Sequence, residues 1–185
     1  FYHNLTQCNS GCGDNAGGGL YALANSIGLV SLSNNTFENN TSWSGGGVYA
    51  DMAAIQNCTF KGNTGGYGGG LYLTGSSNVR KSLFMQNHAG NEGGGLFSTG
   101  ADAQLTLSDS VFDGNVGGAP DGAIVDVKSF GGTLKNVAVL NSSVYKGAAI
   151  DIQNMSAGTS SLMHVTINGI TDTAPELERA PVGLR

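Results

Sequence analysis

The stretch TFKGNTGGYGGGLYL, residues 59–73, decides how this chain is read. Phe60 is followed three residues on by Asn63, then by a glycine run, then by Leu71, Tyr72 and Leu73. The same phrase returns as TFENNTSWSGGGVYA at 36–50 and as LFMQNHAGNEGGGLFS at 83–98. A period of roughly 23 to 29 residues places the chain among solenoids before any globular alternative.

Aligning the repeats yields columns. The apolar position five residues before the phenylalanine is Leu32, Ile55, Val79, Leu107, Leu134 and Leu162, and the phenylalanine position is Phe37, Phe60, Phe84, Phe112, Val139 and Ile167. A second strand-like segment follows each glycine run, as LYA from Leu20, VYA from Val48, LYL from Leu71, LFS from Leu96, VDV from Val125 and IDI from Ile150. Its middle residues are Tyr21, Tyr49, Tyr72, Phe97, Asp126 and Asp151. Side chains alternate along a strand, so this middle column is expected to face outward.

Segments so short lack the length and capping signals of helices. The pattern therefore predicts an all-β chain: a parallel β-helix of about six to seven rungs, in which stacking supplies a core that no single rung has. The coil is expected over residues 1–170, with 171–185 leaving as an extended arm marked by Pro175 and Pro181. Phe1 to Asn4 reads as the middle of a repeat, so the 185 residues are expected to be a mature or excised piece of something longer. Asn40, Asn63, Asn87 and Asn115 each follow a phenylalanine by three residues. Asn tolerates positive φ better than most residues, so this column is expected at sharp corners, stacked and hydrogen-bonded.

The matches FENN, FKGN, FMQN and FDGN, alternating with GGGL and GGGV, resemble the polymorphic outer membrane protein repeat known from chlamydial autotransporters. That resemblance runs to about residue 170, departs at VLNS, DGAI and GAAI, and implies a right-handed, pectin-lyase-like parallel β-helix on a cell surface.

Composition narrows the partners. With 31 Gly, 11% charged residues, 8 Lys and Arg and a net charge of -5, the chain has no basic stripe for nucleic acid or an anionic membrane. No apolar run approaches the ~18 residues of a membrane span. Three cysteines leave at least one unpaired: Cys8 and Cys12 are close enough for a local disulfide, while Cys58 falls in a strand pattern and is expected inside. Glycosylation sequons begin at Asn4, Asn34, Asn39, Asn40, Asn57, Asn141 and Asn154, in keeping with an extracellular or cell-surface location.

The outward column is the candidate binding face. Rings at Tyr21, Tyr49, Tyr72 and Phe97, continuing into Asp126 and Asp151, could engage a glycan or protein, since aromatics dominate interface hot spots; the alternative is a ladder that merely protects the sheet. A polysaccharide lyase would need clustered acids and a basic residue, for which Asp126, Asp151, Lys128 and Lys146 are the candidates. His3, His88 and His164 are too dispersed to activate Cys58, and His3 with Cys8 and Cys12 has the wrong spacing for zinc. Ice binding is set aside for want of a regular Thr-x-Thr column. The reading is a non-catalytic surface β-helix, without cofactor or metal, that serves adhesion or assembly. The alternative is a filament subunit stacking end to end or by tail exchange with other copies of itself.

Overall fold

The computed structural model describes residues 1, 16–24, 28–118, 122–154 and 158–175. In chain order the strands are β1 (Leu20–Ala22), β2 (Val30–Ser33), β3 (Thr36–Glu38), β4 (Val48–Ala50), β5 (Ala53–Gln56), β6 (Thr59–Lys61), β7 (Thr64–Gly65), β8 (Leu71–Leu73), β9 (Ser77–Arg80), β10 (Leu83–Met85), β11 (His88–Ala89), β12 (Leu96–Asp113), β13 (Val116–Gly117), β14 (Val125–Leu140), β15 (Ser143–Val144), β16 (Ile150–Asn154), β17 (Ser161–Asn168) and β18 (Thr171–Asp172). Every pairing between them is parallel.

One rung is clearest in β4 to β7. The chain runs along a first wall at Val48–Ala50, a second at Ala53–Gln56, a third at Thr59–Lys61 and a short fourth at Thr64–Gly65. In the middle rungs the first three walls fuse into the single long strands β12 and β14. Among the described residues the first three walls each stack six strands deep, the low end of the expected six to seven rungs, with five inter-rung steps between them. The fourth wall ends with β18 on β15, so pairing continues into the segment expected to be an arm. The remainder of that arm, residues 176–185, lies outside the described residues.

Register explains the core. Phe84 pairs with Phe60 and Phe112, and Leu71 with Val48 and Leu96, so equal positions lie over one another. The phenylalanine rings stack almost parallel: Phe37 on Phe60 at 5.3 Å, Phe60 on Phe84 at 4.7 Å and Phe84 on Phe112 at 4.3 Å between centroids. All four are fully buried, beside Ile55, Val79, Leu107 and Leu134. Phe84→Ala removes a ring clasped on both faces, and the expected loss is about 3–5 kcal/mol. A fall in the urea midpoint without change in the secondary-structure spectrum of the folded state is the measurement that checks it.

The asparagine column behaves differently from expectation in one respect. Asn40, Asn63, Asn87 and Asn115 do not themselves turn the corner; the residue before each does, at Asn39, Gly62, Gln86 and Gly114, with φ of 53–64°. This preceding residue takes the positive φ and swings the asparagine inward. There each is fully buried, and the amides form a chain: Nδ2 of Asn40 donates to Asn63 Oδ1 at 3.1 Å, Asn63 to Asn87 at 3.0 Å, and Asn87 to Asn115 at 2.9 Å. The same oxygens accept the backbone N–H groups of Asn40, Asn63 and Asn87, and Nδ2 also reaches the Phe37, Phe60 and Phe84 carbonyls from the next rung. Polar backbone at an inward corner is thereby satisfied without water.

Two other corners are left-handed. Between second and third walls stand Asn34, Asn57, Lys81, Asp109, Asn136 and His164, all with φ of 50–57°. Before the first wall stand Gly17, Gly45, Gly68 and Gly93. The later glycines of each run serve proximity: a Cβ on Gly70 would sit 2.7 Å from the Gly95 carbonyl oxygen of the adjacent rung. A side chain there would push two rungs apart.

Candidate functional site

The outward column of the first wall forms a ring ladder. Tyr21 stacks on Tyr49 at 5.0 Å, Tyr49 on Tyr72 at 5.0 Å, and Tyr72 meets Phe97 at 5.1 Å with the planes tilted by 44°. A second aromatic pair arches over from the corner before the glycine run. Trp43 contacts Tyr67 edge-on at 6.0 Å, and Tyr67 leans on Phe97 at 5.5 Å. Six rings therefore make one connected band across four rungs. Burial, then the neighbouring Tyr49 and Tyr67 phenols, push the Tyr72 hydroxyl up, as expected where three phenols converge.

Exposure along this column does not stay constant, which corrects the expected open face. Tyr21 is 51% exposed and Tyr49 and Tyr72 half-buried, but Phe97 is 5% exposed, Asp126 0% and Asp151 2%. The cause lies in the corner residues Ser44, Tyr67 and Glu92, which occupy one place in successive repeats. Ser44 is small, Tyr67 packs against Phe97, and Glu92 reaches Lys128 with Oε1 2.6 Å from Nζ. The open part of the band is confined to Tyr21, Tyr49, Tyr72, Tyr67 and the 56% exposed Trp43. Alternation within strands could not disclose Trp43 and Tyr67, but the aromatic that precedes the glycine run in SWSGGGVY and GYGGGLY is the signal that would have.

The acidic end is a closed cluster. Asp126 and Asp151 are register partners on β14 and β16; Asp151 accepts from Gln153 Nε2 at 2.9 Å, whereas neither oxygen of Asp126 has a hydrogen-bond partner among the described residues. Burial above all, with Glu92 and Asp151 adding and Lys128 opposing, pushes the Asp126 carboxyl up to about 8. Lys128 is held by Glu92, and Lys146 stands at its own left-handed corner with its ammonium over the Tyr145 ring at 5.9 Å. The lyase candidates are thus not gathered around an open groove. Among the described residues no group of three or more His, Cys, Asp or Glu side chains is placed to hold a metal ion.

Cys58 points inward, free and buried, with its backbone N–H donating to Ser82 Oγ and its thiol 3.4 Å from the Gln56 carbonyl. Burial pushes that thiol up, away from nucleophilic character. His88 and His164 are exposed on different walls, His164 bonding Asn136 through Nδ1 at 3.1 Å. Of the sequon asparagines, Asn34, Asn57 and Asn141 are exposed and Asn39 is half-buried. Asn40 is excluded as an acceptor, because its amide lies inside the asparagine chain. Asn4, Cys8, Cys12 and His3, together with the side chain of Asn154, lie outside the described residues.

Outside the band, the second wall carries a hollow of about 400 Å³, bordered by Ser31, Ser33, Ala54, Gln56, Asn78 and Arg80. Neither the curated proteins nor the solved structures compared with the chain gave a match. A family model described as the right-handed beta helix region matches residues 2–144. With the parallel register, the repeated inward ladders and this match over most of its length, the chain belongs to the right-handed β-helix family.

Proposed function

We propose that this chain is a non-catalytic stretch of an extracellular or cell-surface β-helix, of the polymorphic outer membrane protein type, whose aromatic band docks a partner protein in adhesion. The observation that carries this reading is the connected, partly open band of Trp43, Tyr67, Tyr72, Tyr49 and Tyr21 on a rigid wall. Rings 5.0 Å apart face to face leave no gap into which a sugar can stack, so they offer edges and hydroxyls. Such surfaces suit protein interfaces, where Tyr and Trp anchors bring large contact area at low entropic cost. The burial of Asp126 and Asp151 supports the absence of lyase chemistry.

Trp43 is the one tryptophan, so its fluorescence reports on this face alone. The chain would be titrated with fibronectin, laminin and collagen, and applied to a glycan array in parallel. Saturable quenching by one of the proteins, weakened about tenfold or more in the Tyr21→Ala, Tyr49→Ala double variant, which keeps the fluorophore, is expected from loss of a hot spot. Binding that leaves Trp43 unchanged, or that survives the double substitution, would contradict the reading; so would binding only to glycans.

A second reading, end-to-end assembly with other copies, draws on a different observation. Phe1 stacks on Phe37 at 5.0 Å and continues the interior ring column. Its backbone also pairs with Thr36 and Glu38, as a further rung would. Fibres in negative-stain micrographs would favour this reading over the first.

A further inference from the structure

The tyrosines of the first wall carry a group that stacking does not require. In the interior column, phenylalanine alone builds a continuous pile from Phe37 to Phe112. On the outward face the same register brings three phenols into line, at Tyr21, Tyr49 and Tyr72. Each ring meets the next at 5.0 Å between centroids, so the carbons ortho to each hydroxyl stand close to those of the neighbouring ring. Those carbons are where phenoxyl radicals couple. The ring centres of two phenols joined there lie closer than the present spacing by less than an ångström, and what separates the pair from the product is orientation. The rings stand face to face and must turn edge to edge about the Cβ–Cγ bond, a torsion with only a broad preference.

Tyr21 has room for that turn. It is 51% exposed, lies 26° out of parallel with Tyr49, and among the described residues meets a ring on one face only. Tyr72 is more confined: Tyr49 covers one face at 13° and Phe97 the other, with Tyr67 leaning on Phe97. Phe97 has no hydroxyl and ends the series of phenols.

We propose that Tyr21 and Tyr49 are an oxidative coupling site, joined as dityrosine by a one-electron oxidant of the peroxidase class, and that the bond locks the first described rung to the second. Each phenol gives up one electron and one proton and becomes a phenoxyl radical. The two radicals pair their electrons in a carbon–carbon bond between ortho positions, and the hydrogens on those carbons move as protons to the phenolic oxygens. Two phenols and one hydrogen peroxide thus become one dityrosine, with both hydroxyls intact, and two waters. Among the described residues β1 pairs with β4 alone, so the bond fastens a strand held on one side. A link there closes the chain from residue 21 to residue 49 into a loop and withdraws freedom from the unfolded state, as a disulfide does. Cys58, the one cysteine among the described residues, is free and buried and supplies no such link. The coupling needs no docked partner and stands apart from the adhesion reading.

Treatment of the dilute full chain with a haem peroxidase and hydrogen peroxide tests the proposal, with dityrosine fluorescence read in the monomer fraction and the link located by peptide mapping. The expected product is a monomer lighter by two hydrogens, in which the peptide holding Tyr21 is joined to that holding Tyr49. Its urea midpoint shifts upward relative to Tyr49→Phe treated alike. Tyr21→Phe and Tyr49→Phe keep the rings and lose the link, while Tyr72→Phe and Tyr145→Phe retain it. Free tyrosine coupled in a parallel mixture shows that the oxidant is active. With that control positive, a monomer without dityrosine, a link that maps to Tyr49 and Tyr72, a link that survives Tyr21→Phe, or a midpoint no higher than that of treated Tyr49→Phe overturns the proposal.

Discussion

Asn87→Ala is expected to destabilise the coil by about 4 kcal/mol or more, which approaches the whole stability of a small domain. The side chain touches three rungs at once. Its oxygen accepts from the backbone N–H and Nδ2 of Asn63, and its Nδ2 donates to the Phe60 carbonyl and Asn115 Oδ1. Alanine leaves two buried donors of Asn63 without partners, at about 1–3 kcal/mol for each orphaned group, and takes one donor from the Phe60 carbonyl. Asn87→Asp keeps the acceptor but turns the donor into an oxygen facing two others. Its carboxyl is pushed up, so the folded state holds a proton that the unfolded chain releases, and stability is lost as pH rises. Urea melts of both variants and the parent at acid and neutral pH check the pair: measured against the parent at the same pH, alanine should lose equally at both, and aspartate more at neutral pH.

Asp126 is the other residue with a large expected effect, and its sign is opposite to that of an ordinary surface acid. The free carboxyl titrates at 3.8 and the folded one near 8. Below pH 4 both states are protonated and the residue costs little. From pH 4 to about 8 the unfolded chain ionises while the folded one does not, so stability falls as pH rises, by up to about 1.4 kcal/mol per unit. Above about 8 the decline ends. Asp126→Asn removes the ionisable group, so its stability should match that of the parent at pH 4 and exceed it by about 3–5 kcal/mol at pH 8. Denaturant midpoints across this range provide the measurement; parallel profiles for parent and variant would show that the carboxyl is not held neutral.

The two residues show how unevenly the molecule could be read from its sequence. The Phe and Asn columns were legible because each recurs at one register position, and in a parallel coil equal register means contact. Corner geometry was less so: positive φ falls on Asn39, Gly62, Gln86 and Gly114, a mixed set with no residue type in common, while the constant Asn beside them does the bonding. The burial of Phe97 and Asp126 was not legible at all. Strand alternation states which way a side chain leaves the sheet, and says nothing of Tyr67 or Glu92 arriving from a corner to close over it.

The stacking itself is open to direct measurement by nuclear Overhauser contacts in solution. Aromatic contacts linking Phe60 to Phe84 and Phe84 to Phe112, with backbone contacts joining Thr59 to Leu83 in the parallel pattern, are the predicted result. Close Hα–Hα contacts between neighbouring strands, the mark of antiparallel hairpins, or phenylalanine rings free of one another in solvent would contradict the account.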